Sequence, residues 1–395
     1  MQVGAPAIIA QRYVYAGMLI GISMMTAVLW MPATLGALAQ GYGLGAGELS
    51  KLAFTELAGL LLGTLLTSNK AVNSLKIRVL GGCILGLIAN AWVKAHNGYP
   101  PSSMVRLIAG LGAGIGFGYG LKACAASIRP TRSFGVFTGL MSLVMIIGFQ
   151  SIAHMLGAKL GSPAPIDPQL VKLSVKSIFE IHATTGLFAG LVLLANPLPA
   201  SANGSAAVAP KRGLPTPLVL IGLLAIGLAF IGQGAIWAFL QLLGTSHGYS
   251  IGAVADAMSA FAIAGIVGSF SAAIAPHRWP RWPAMSAALL LLWCGLYAMY
   301  APSSFNWYVV GSAIGGYYWN FVLPLMLGLL ARVDLSGQGA VLGGAMSSLG
   351  SALGPLLAAQ LIRNDNYRPV GWMGGAVCLA GFICISLVER RAASN

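Results

Sequence analysis

The sequence RLIAGLGAGIGFGYG at residues 106–120 places a glycine at every even position from 110 to 120, one turn after a single arginine. A nucleotide-binding GxGxxG turn needs glycines two and then three residues apart, and an alternating run cannot supply the interval of three. On a helix, residues four apart share a face, so the run gives two smooth faces that neighbouring helices can approach closely. We therefore predict helix packing, with direct contact between this backbone and a substrate as the alternative. The predicted packing glycines, including a pair later in the chain, are Gly110, Gly112, Gly114, Gly116, Gly118, Gly339 and Gly343.

The composition around this run is that of a membrane protein. Of the 395 residues, 57% are hydrophobic and 8% are charged, whereas soluble proteins carry about 25% charged residues. Soluble classes are therefore excluded. In a soluble protein, a net charge of +14 would suggest a nucleic-acid partner. In membrane proteins, basic residues gather in cytoplasmic loops and account for such an excess. We predict a lipid bilayer as the environment and no nucleic-acid partner.

The apolar residues are arranged in stretches long enough to cross a bilayer, which takes about 20 residues of helix. Short segments rich in Pro, Asn, Gly and charge separate these stretches. The first apolar stretch is too long for the apolar region of a cleaved signal peptide. The chain is therefore predicted to be an all-α integral membrane protein with twelve transmembrane helices. The predicted spans lie at roughly 13–40, 49–68, 78–95, 102–125, 134–157, 175–198, 216–244, 251–274, 283–300, 306–331, 338–361 and 369–388.

Basic residues are divided unevenly between the two sides of this arrangement. If the N-terminus is cytoplasmic, fourteen of the 22 Lys and Arg residues fall on the cytoplasmic side and seven on the other, with Arg106 inside a span. Basic loops stay in the cytoplasm. The split predicts a multi-pass protein of the plasma (inner) membrane with both termini cytoplasmic.

The chain divides into two halves. Residues 199–215 are rich in Ala, Ser, Gly and Pro without apolar periodicity, which predicts a cytoplasmic linker between bundles at 1–198 and 216–395. An offset of 207 residues aligns Trp30 with Trp237, and the same offset matches further Gly, Tyr, Ala and Phe residues. Two related halves of six spans indicate a duplicated bundle.

Arg106-Leu-Ile-Ala-Gly110-Leu-Gly112 is similar to the RxxxGxG segment in the fourth helix of the major facilitator superfamily. The duplicated halves resemble that family as well, so the resemblance covers essentially the whole chain. It implies two pseudo-symmetric six-helix bundles with alternating access to a central site. Two features depart from the family pattern: Gly63-Thr-Leu-Leu-Thr67 lacks the Asp of the Gly-x-x-x-Asp motif, and the fifth span lacks the Gly-Pro signature of antiporters. The direction of transport stays open.

Charged residues at membrane depth are costly and therefore candidates for function. Arg106 and Glu56 enter their spans from the same side, at depths that allow an ion pair. One interpretation is a structural pair that joins two helices. In the other, Arg106 binds an anionic substrate group and Glu56 takes up a proton when it is released from the pair.

Two further titratable residues are predicted to act in proton coupling, Glu180 at the start of the sixth span and His154 near the end of the fifth. A location in the interface facing water is the alternative for both. Met141 and Met145 share a helical face before His154, which admits a Cu(I) site as a remote alternative.

Polar and aromatic residues within the second-half spans suggest a binding cavity. Gln233 and Trp237 are four residues apart in the seventh span, and the tenth span carries Tyr317, Tyr318 and Asn320. Lipid offers no hydrogen-bond partner, so at least some of these side chains should face the interior. Packing with interhelical hydrogen bonds is the alternative to substrate binding.

These observations predict a secondary active transporter that moves a small organic anion with protons, as a monomer without metal or cofactor. A proton-driven exporter of lipophilic compounds is the main alternative. A membrane-embedded enzyme would need clustered acids or histidines near one interface, and the cytoplasmic loops hold few acids beyond Asp334 and Glu389. A passive channel would more often be assembled from subunits without duplicated halves. We therefore expect neither an enzyme nor a channel.

Overall fold

The computed structural model describes residues 11–68, 75–96, 102–125, 127, 130–157, 168–196, 216–278, 281–300, 304–333 and 338–394, and these residues are almost entirely helical. The helices are α1 (Gln11–Leu29), α2 (Met31–Tyr42), α3 (Ala46–Ser68), α4 (Lys76–Ala95), α5 (Ser103–Ala125), α6 (Pro130–Met155), α7 (Pro168–Ala195), α8 (Pro217–Ser246), α9 (Ile251–Arg278), α10 (Arg281–Tyr300), α11 (Phe305–Val333), α12 (Gln338–Ala359) and α13 (Arg368–Ser394).

Twelve membrane-crossing units account for these thirteen helices. Within the described residues, eleven segments are long and apolar enough to cross a bilayer, and α1 with α2 forms the first of them. The remaining helix, α11, is 29 residues long. These helices agree with the prediction of an all-α fold with twelve transmembrane helices.

The first span differs from the prediction of one continuous stretch at 13–40, because it is divided at Trp30. Pro32 follows two residues later at the start of α2. Proline has no N–H to donate to the carbonyl four residues earlier, here that of Val28, and its ring disturbs the preceding turn. The break gives Trp30 a position between two helix ends, near the middle of the span.

Each half of the chain forms its own set of packed helices. In the first half α5 packs against α1, α3 and α4, and in the second half α8 packs against α12 and α13 while α9 packs against α11. The halves meet where α3 packs on α12, α6 on α9 and α2 on α8. The predicted linker at 199–215 lies outside the described residues, and the boundaries of the two domains stay a prediction.

An even number of spans puts both termini on one side of the bundle, here called the termini side, and the opposite side is called the far side. Side chains join the halves towards the far side. The Gln150 amide of α6 donates to Asp256 Oδ1 at 2.9 Å and to Ser259 Oγ at 3.1 Å, both on α9. Gln241 of α8 lies directly against Gly36 of α2. The halves are therefore in contact on the far side.

The alternating glycines of α5 line two different helix interfaces. A Cβ at Gly110 or Gly114 would overlap backbone atoms of α3, and one at Gly118 would overlap the Thr67 hydroxyl of the same helix. On the other face, a Cβ at Gly112 would lie 2.5 Å from the Gly82 carbonyl of α4, and one at Gly116 would lie 2.5 Å from Met24 of α1. The glycines let three helices approach the α5 backbone.

The later glycines differ in their surroundings. A Cβ at Gly343 of α12 would lie 2.6 Å from Leu327 of α11. Gly339 lies in the first turn of α12, and its neighbours are not among the contacts that the structure describes.

Candidate functional site

Arg106 of α5 and Glu56 of α3 form an ion pair in the interior of the first half. Their exposed fractions are 4% and 6%. Arg106 Nε donates to Glu56 Oε2 at 3.2 Å, and Nη2 donates to Oε1. The pair forms because Gly110, one turn after Arg106, lets the α5 backbone lie against the Glu56 carbonyl. The glycine run thus places the two charges at hydrogen-bonding distance.

The rest of the Arg106 guanidinium is bound by protein groups as well. Nη1 donates to Asn90 Oδ1 of α4 at 3.0 Å, and the Asn90 amide donates in turn to the Gly86 carbonyl at 2.8 Å. The guanidinium carbon lies 5.2 Å from the ring centroid of Phe179 on α7, a cation–π distance. Removing one partner of such a buried pair costs roughly 3–5 kcal/mol, because the other charge is left unpaired.

His182, which is on the same helix as Phe179 and lies beside its ring, belongs to a second polar group in the first half. Its Nδ1 lies 3.3 Å from Thr26 Oγ1, which is 3.0 Å from Thr185 Oγ1. The ring is buried between Trp30 and Phe179, with centroids 5.3 Å and 6.0 Å away. Its Nε2 has no hydrogen-bond partner among the described residues. From the sequence, His182 and Asn90 are only weak candidates, since their signal is a polar side chain at membrane depth.

The structure does not bring Glu180 and His154 into either of these polar groups. Glu180 forms an ion pair with Lys94 in which each side chain is a little less than half exposed. It follows Phe179 by one residue and precedes His182 by two, which on a helix turns it to another face. His154 is exposed near the far-side end of α6. In the described parts of the chain, no three His, Cys, Asp or Glu side chains are grouped to hold a metal ion.

A second site lies where the two halves meet. Gln233 is 4% exposed, and neither atom of its amide has a hydrogen-bond partner among the described residues. Trp237, one turn later, contacts rings from three other helices. The centroid distances are 4.9 Å to Phe261 of α9, 5.8 Å to Phe149 of α6 and 6.1 Å to Trp319 of α11. We call Gln233 with Phe149, Phe230, Trp237, Phe261 and Trp319 the aromatic site.

The tenth span contributes Trp319 to this site, and the three residues predicted from that span lie elsewhere. Tyr318 is buried beside Cys378 of α13. Tyr317 stacks on Phe321 in an apolar groove between α10 and α11. Asn320 donates to the Gly316 carbonyl at 3.1 Å and lies close to Gly265 of α9.

The two sites occupy corresponding places in the duplicated halves. The 207-residue offset that aligns Trp30 with Trp237 also aligns Thr26 with Gln233, so the first span of each half carries a polar residue and a tryptophan one turn later. The Thr26 hydroxyl is engaged by its neighbours, and Trp30 donates to the Val144 carbonyl at 2.8 Å. In the second half the Gln233 amide is left without a partner among the described residues.

Comparison with known proteins identifies similar chains. The family model of the Major Facilitator Superfamily matches residues 222–395. A sequence search of curated proteins finds no match. Among solved structures, the nucleoside transporter NupG is 12% identical with a TM-score of 0.68, covering 95% of this chain and 99% of that one.

Two other solved structures are similar over nearly their whole length. The D-xylose-proton symporter is 14% identical with a TM-score of 0.69, covering 94% of this chain and 96% of that one. The fucose:proton symporter FucP of E. coli is 14% identical with a TM-score of 0.61, covering 95% and 98%. At such identities the likeness establishes the fold.

Proposed function

We propose that this chain is a secondary active transporter of a small organic solute. The premise is that it has the major facilitator fold throughout and matches the family model over its C-terminal half. Alternating access would expose the region between the halves to each side of the membrane in turn. Protons are the proposed coupling ion, and Glu56 the proposed site of proton uptake. The observation that carries the proposal is the buried Arg106–Glu56 pair.

The surroundings of the pair suggest how a proton could be coupled to movement. A proton on Glu56 would remove its charge, and Arg106 would keep its contacts with Asn90 and Phe179. The attraction that joins α3 to α5 would then weaken. Because α3 also packs on α12 of the other half, a shift of α3 would act directly on the contact between the halves.

The predicted role of Arg106 as an anion clamp finds no support in this arrangement. Its donor groups bind Glu56 and Asn90, and Phe179 covers the guanidinium. A carboxylate substrate would have to displace Glu56 from a buried pair, which is costly. We therefore propose that Arg106 is a positioning residue for Glu56, and that the solute is uncharged.

The solutes of the similar structures support this proposal. Two are proton symporters, of fucose and of D-xylose, and one is a nucleoside transporter. These solutes are uncharged at neutral pH. An exporter of lipophilic compounds is the second candidate, since the aromatic site would suit apolar ligands, but an unpartnered buried amide favours a ligand with polar groups.

Reconstituted vesicles would test the coupling. A solute would first be chosen by thermal stabilisation of the purified protein, from a panel of nucleosides, nucleobases, pentoses, hexoses and carboxylates. We expect the Glu56→Gln variant to exchange this solute across the membrane but to lose its accumulation under an imposed proton gradient. Glu180→Gln removes an exposed carboxylate and should leave accumulation unchanged. Full uphill, pH-driven uptake by Glu56→Gln would refute the coupling role, and export from the cytoplasmic side would support the second candidate.

A further inference from the structure

Gln233 is a buried polar side chain whose hydrogen-bonding capacity is unused. Its amide has one acceptor and two donors, and the residues that the structure describes satisfy none of them. Burying an amide without partners is unfavourable, so nearly all such groups in proteins are paired. An unpaired amide at a place where a ligand is expected indicates that the ligand supplies the partner.

Gln233 lies near the middle of its span, on the same side of α8 as two aromatic residues. Gln233 lies about halfway along the 30-residue helix α8, which begins the second half. Phe230 and Trp237 lie on the same stripe of α8, one turn before and one turn after it. The rings of both contact Trp319, with centroids 5.4 Å and 6.1 Å apart, and Trp237 also contacts Phe149 of the first half. Both halves thus contribute rings to the aromatic site.

The chemistry of these walls restricts the ligand. Aromatic faces favour a flat ring that can stack on them. The aromatic site as defined above contains no charged side chain, and an ion would lose its hydration there without a counter-charge. In one plane, the carboxamide offers a C=O beside an N–H, which matches a ring edge that carries an N–H beside a C=O.

We propose that the aromatic site binds an uncharged planar heterocycle with a ring N–H next to a carbonyl, the edge found in nucleobases. Gln233 forms two hydrogen bonds with this edge, and one of the aromatic rings of the site stacks on the heterocycle. This inference rests on the proposed function, since it names the substrate of the transporter's central site. A saturated sugar would present several hydroxyl groups to a single amide and would leave most of them unpaired.

The two halves differ at the aligned positions Thr26 and Gln233. Thr26, the counterpart of Gln233, is bonded to Thr185 and lies beside His182, close to the Arg106–Glu56 pair. Recognition of the ring edge therefore belongs to the second half, and the proposed proton site belongs to the first. Binding of the solute and uptake of the proton would each act on one half of the molecule.

Equilibrium binding to the full-length protein in lipid nanodiscs tests the proposal. The probes are uracil and hypoxanthine, which carry the required edge, 1,3-dimethyluracil, which keeps the ring but has no N–H, and D-xylose. We expect uracil or hypoxanthine to quench tryptophan fluorescence on binding, and dimethyluracil to bind at least ~10-fold more weakly. D-xylose should not bind.

Two variants on one helix sharpen this test. Gln233→Leu should abolish binding of the heterocycle and leave the melting temperature equal or higher, because it removes an unpaired amide. Gln241→Leu is the matched control, since Gln241 is also buried with its Nε2 unpartnered in the described structure but packs against Gly36. It should bind the heterocycle like the unmodified protein.

Several outcomes would overturn the proposal. They are failure of both uracil and hypoxanthine to bind, equal affinity for uracil and dimethyluracil, preference for D-xylose, and unchanged binding by Gln233→Leu. The assay needs no proton gradient, so failure here would leave coupling through Glu56 intact. Conversely, if the vesicle experiment refutes coupling through Glu56, a measured affinity for the heterocycle still stands.

Discussion

At the scale of single residues, the glycine at position 110 controls how close the two buried charges can come. The α5 backbone at Gly110 lies against the Glu56 carbonyl, and a methyl group there would overlap it. We expect Gly110→Ala to push α3 away from α5, to lengthen the contact between Arg106 and Glu56, and to destabilise the protein by about 1–3 kcal/mol. Thermal unfolding of the purified protein would show the loss as a lower melting temperature.

Gly139→Ala is the control for this substitution. Gly139 lies in α6, and a Cβ added there would meet no atom within 4 Å. Alanine has the higher helix propensity, so the melting temperature should stay the same or rise. Equal melting temperatures for the Gly110→Ala and Gly139→Ala variants would contradict the close packing of α3 and α5.

The same scale shows what sequence can and cannot predict about the candidate sites. Arg106 and Glu56 could be paired from sequence because charges are rare at membrane depth and both enter their spans from the same side, at depths within reach of an arginine side chain. The choice of Trp319 over its neighbours Tyr317 and Tyr318 could not be made, because all three suit a buried face and the rotation of α11 depends on packing with α8 and α9. His182 could not be preferred over Glu180 for the same reason.

At the scale of helices, the contact between α6 and α9 holds the far side together. Gln150 bonds to Asp256 and Ser259 across the two halves. Alternating access requires these helices to separate on the far side in part of the cycle. We expect a short bifunctional maleimide to join Gln150→Cys and Asp256→Cys, which are both exposed, and to stop solute exchange in vesicles. The same double variant should exchange solute before the reagent is added.

A cross-link within one half is the control for the link between halves. Lys94→Cys and Glu180→Cys replace an exposed ion pair between α4 and α7 of the first half. Joining them should leave exchange intact, because each half moves as a unit. Both experiments need the Cys294→Ser background, since Cys294 is exposed. Undiminished exchange after α6 is linked to α9 would contradict opening of the far side.

Helix boundaries and breaks were less predictable than the number of spans. The stretch at 13–40 is apolar throughout, so hydropathy gives no sign of the break at Trp30. Pro32 is visible in the sequence, but a proline in a transmembrane helix can be accommodated without a break. The position of the break depends on tertiary contacts such as the hydrogen bond from Trp30 to the Val144 carbonyl.

At the scale of the whole molecule, the fold could be predicted because the bilayer leaves few choices. Backbone groups within lipid must be satisfied inside each helix, so a long apolar stretch in this chain can only be a spanning helix. The aligned tryptophans of the two halves then suggested a duplicated bundle. Which face of each helix looks inward, and which state of the transport cycle is populated, depend on packing that composition does not encode.

Orientation in the membrane remains a prediction of the basic residues. The loops and tails of the termini side carry fourteen of the 22 Lys and Arg residues, and basic loops stay in the cytoplasm. In a bacterial host, we expect alkaline phosphatase fused after residue 394 to be inactive and green fluorescent protein at the same position to fluoresce. Phosphatase fused after Ser304, between α10 and α11 on the far side, should be active. The opposite pattern at both positions would place the termini outside, and the far-side contact of Gln150 with Asp256 would then close the cytoplasmic entrance.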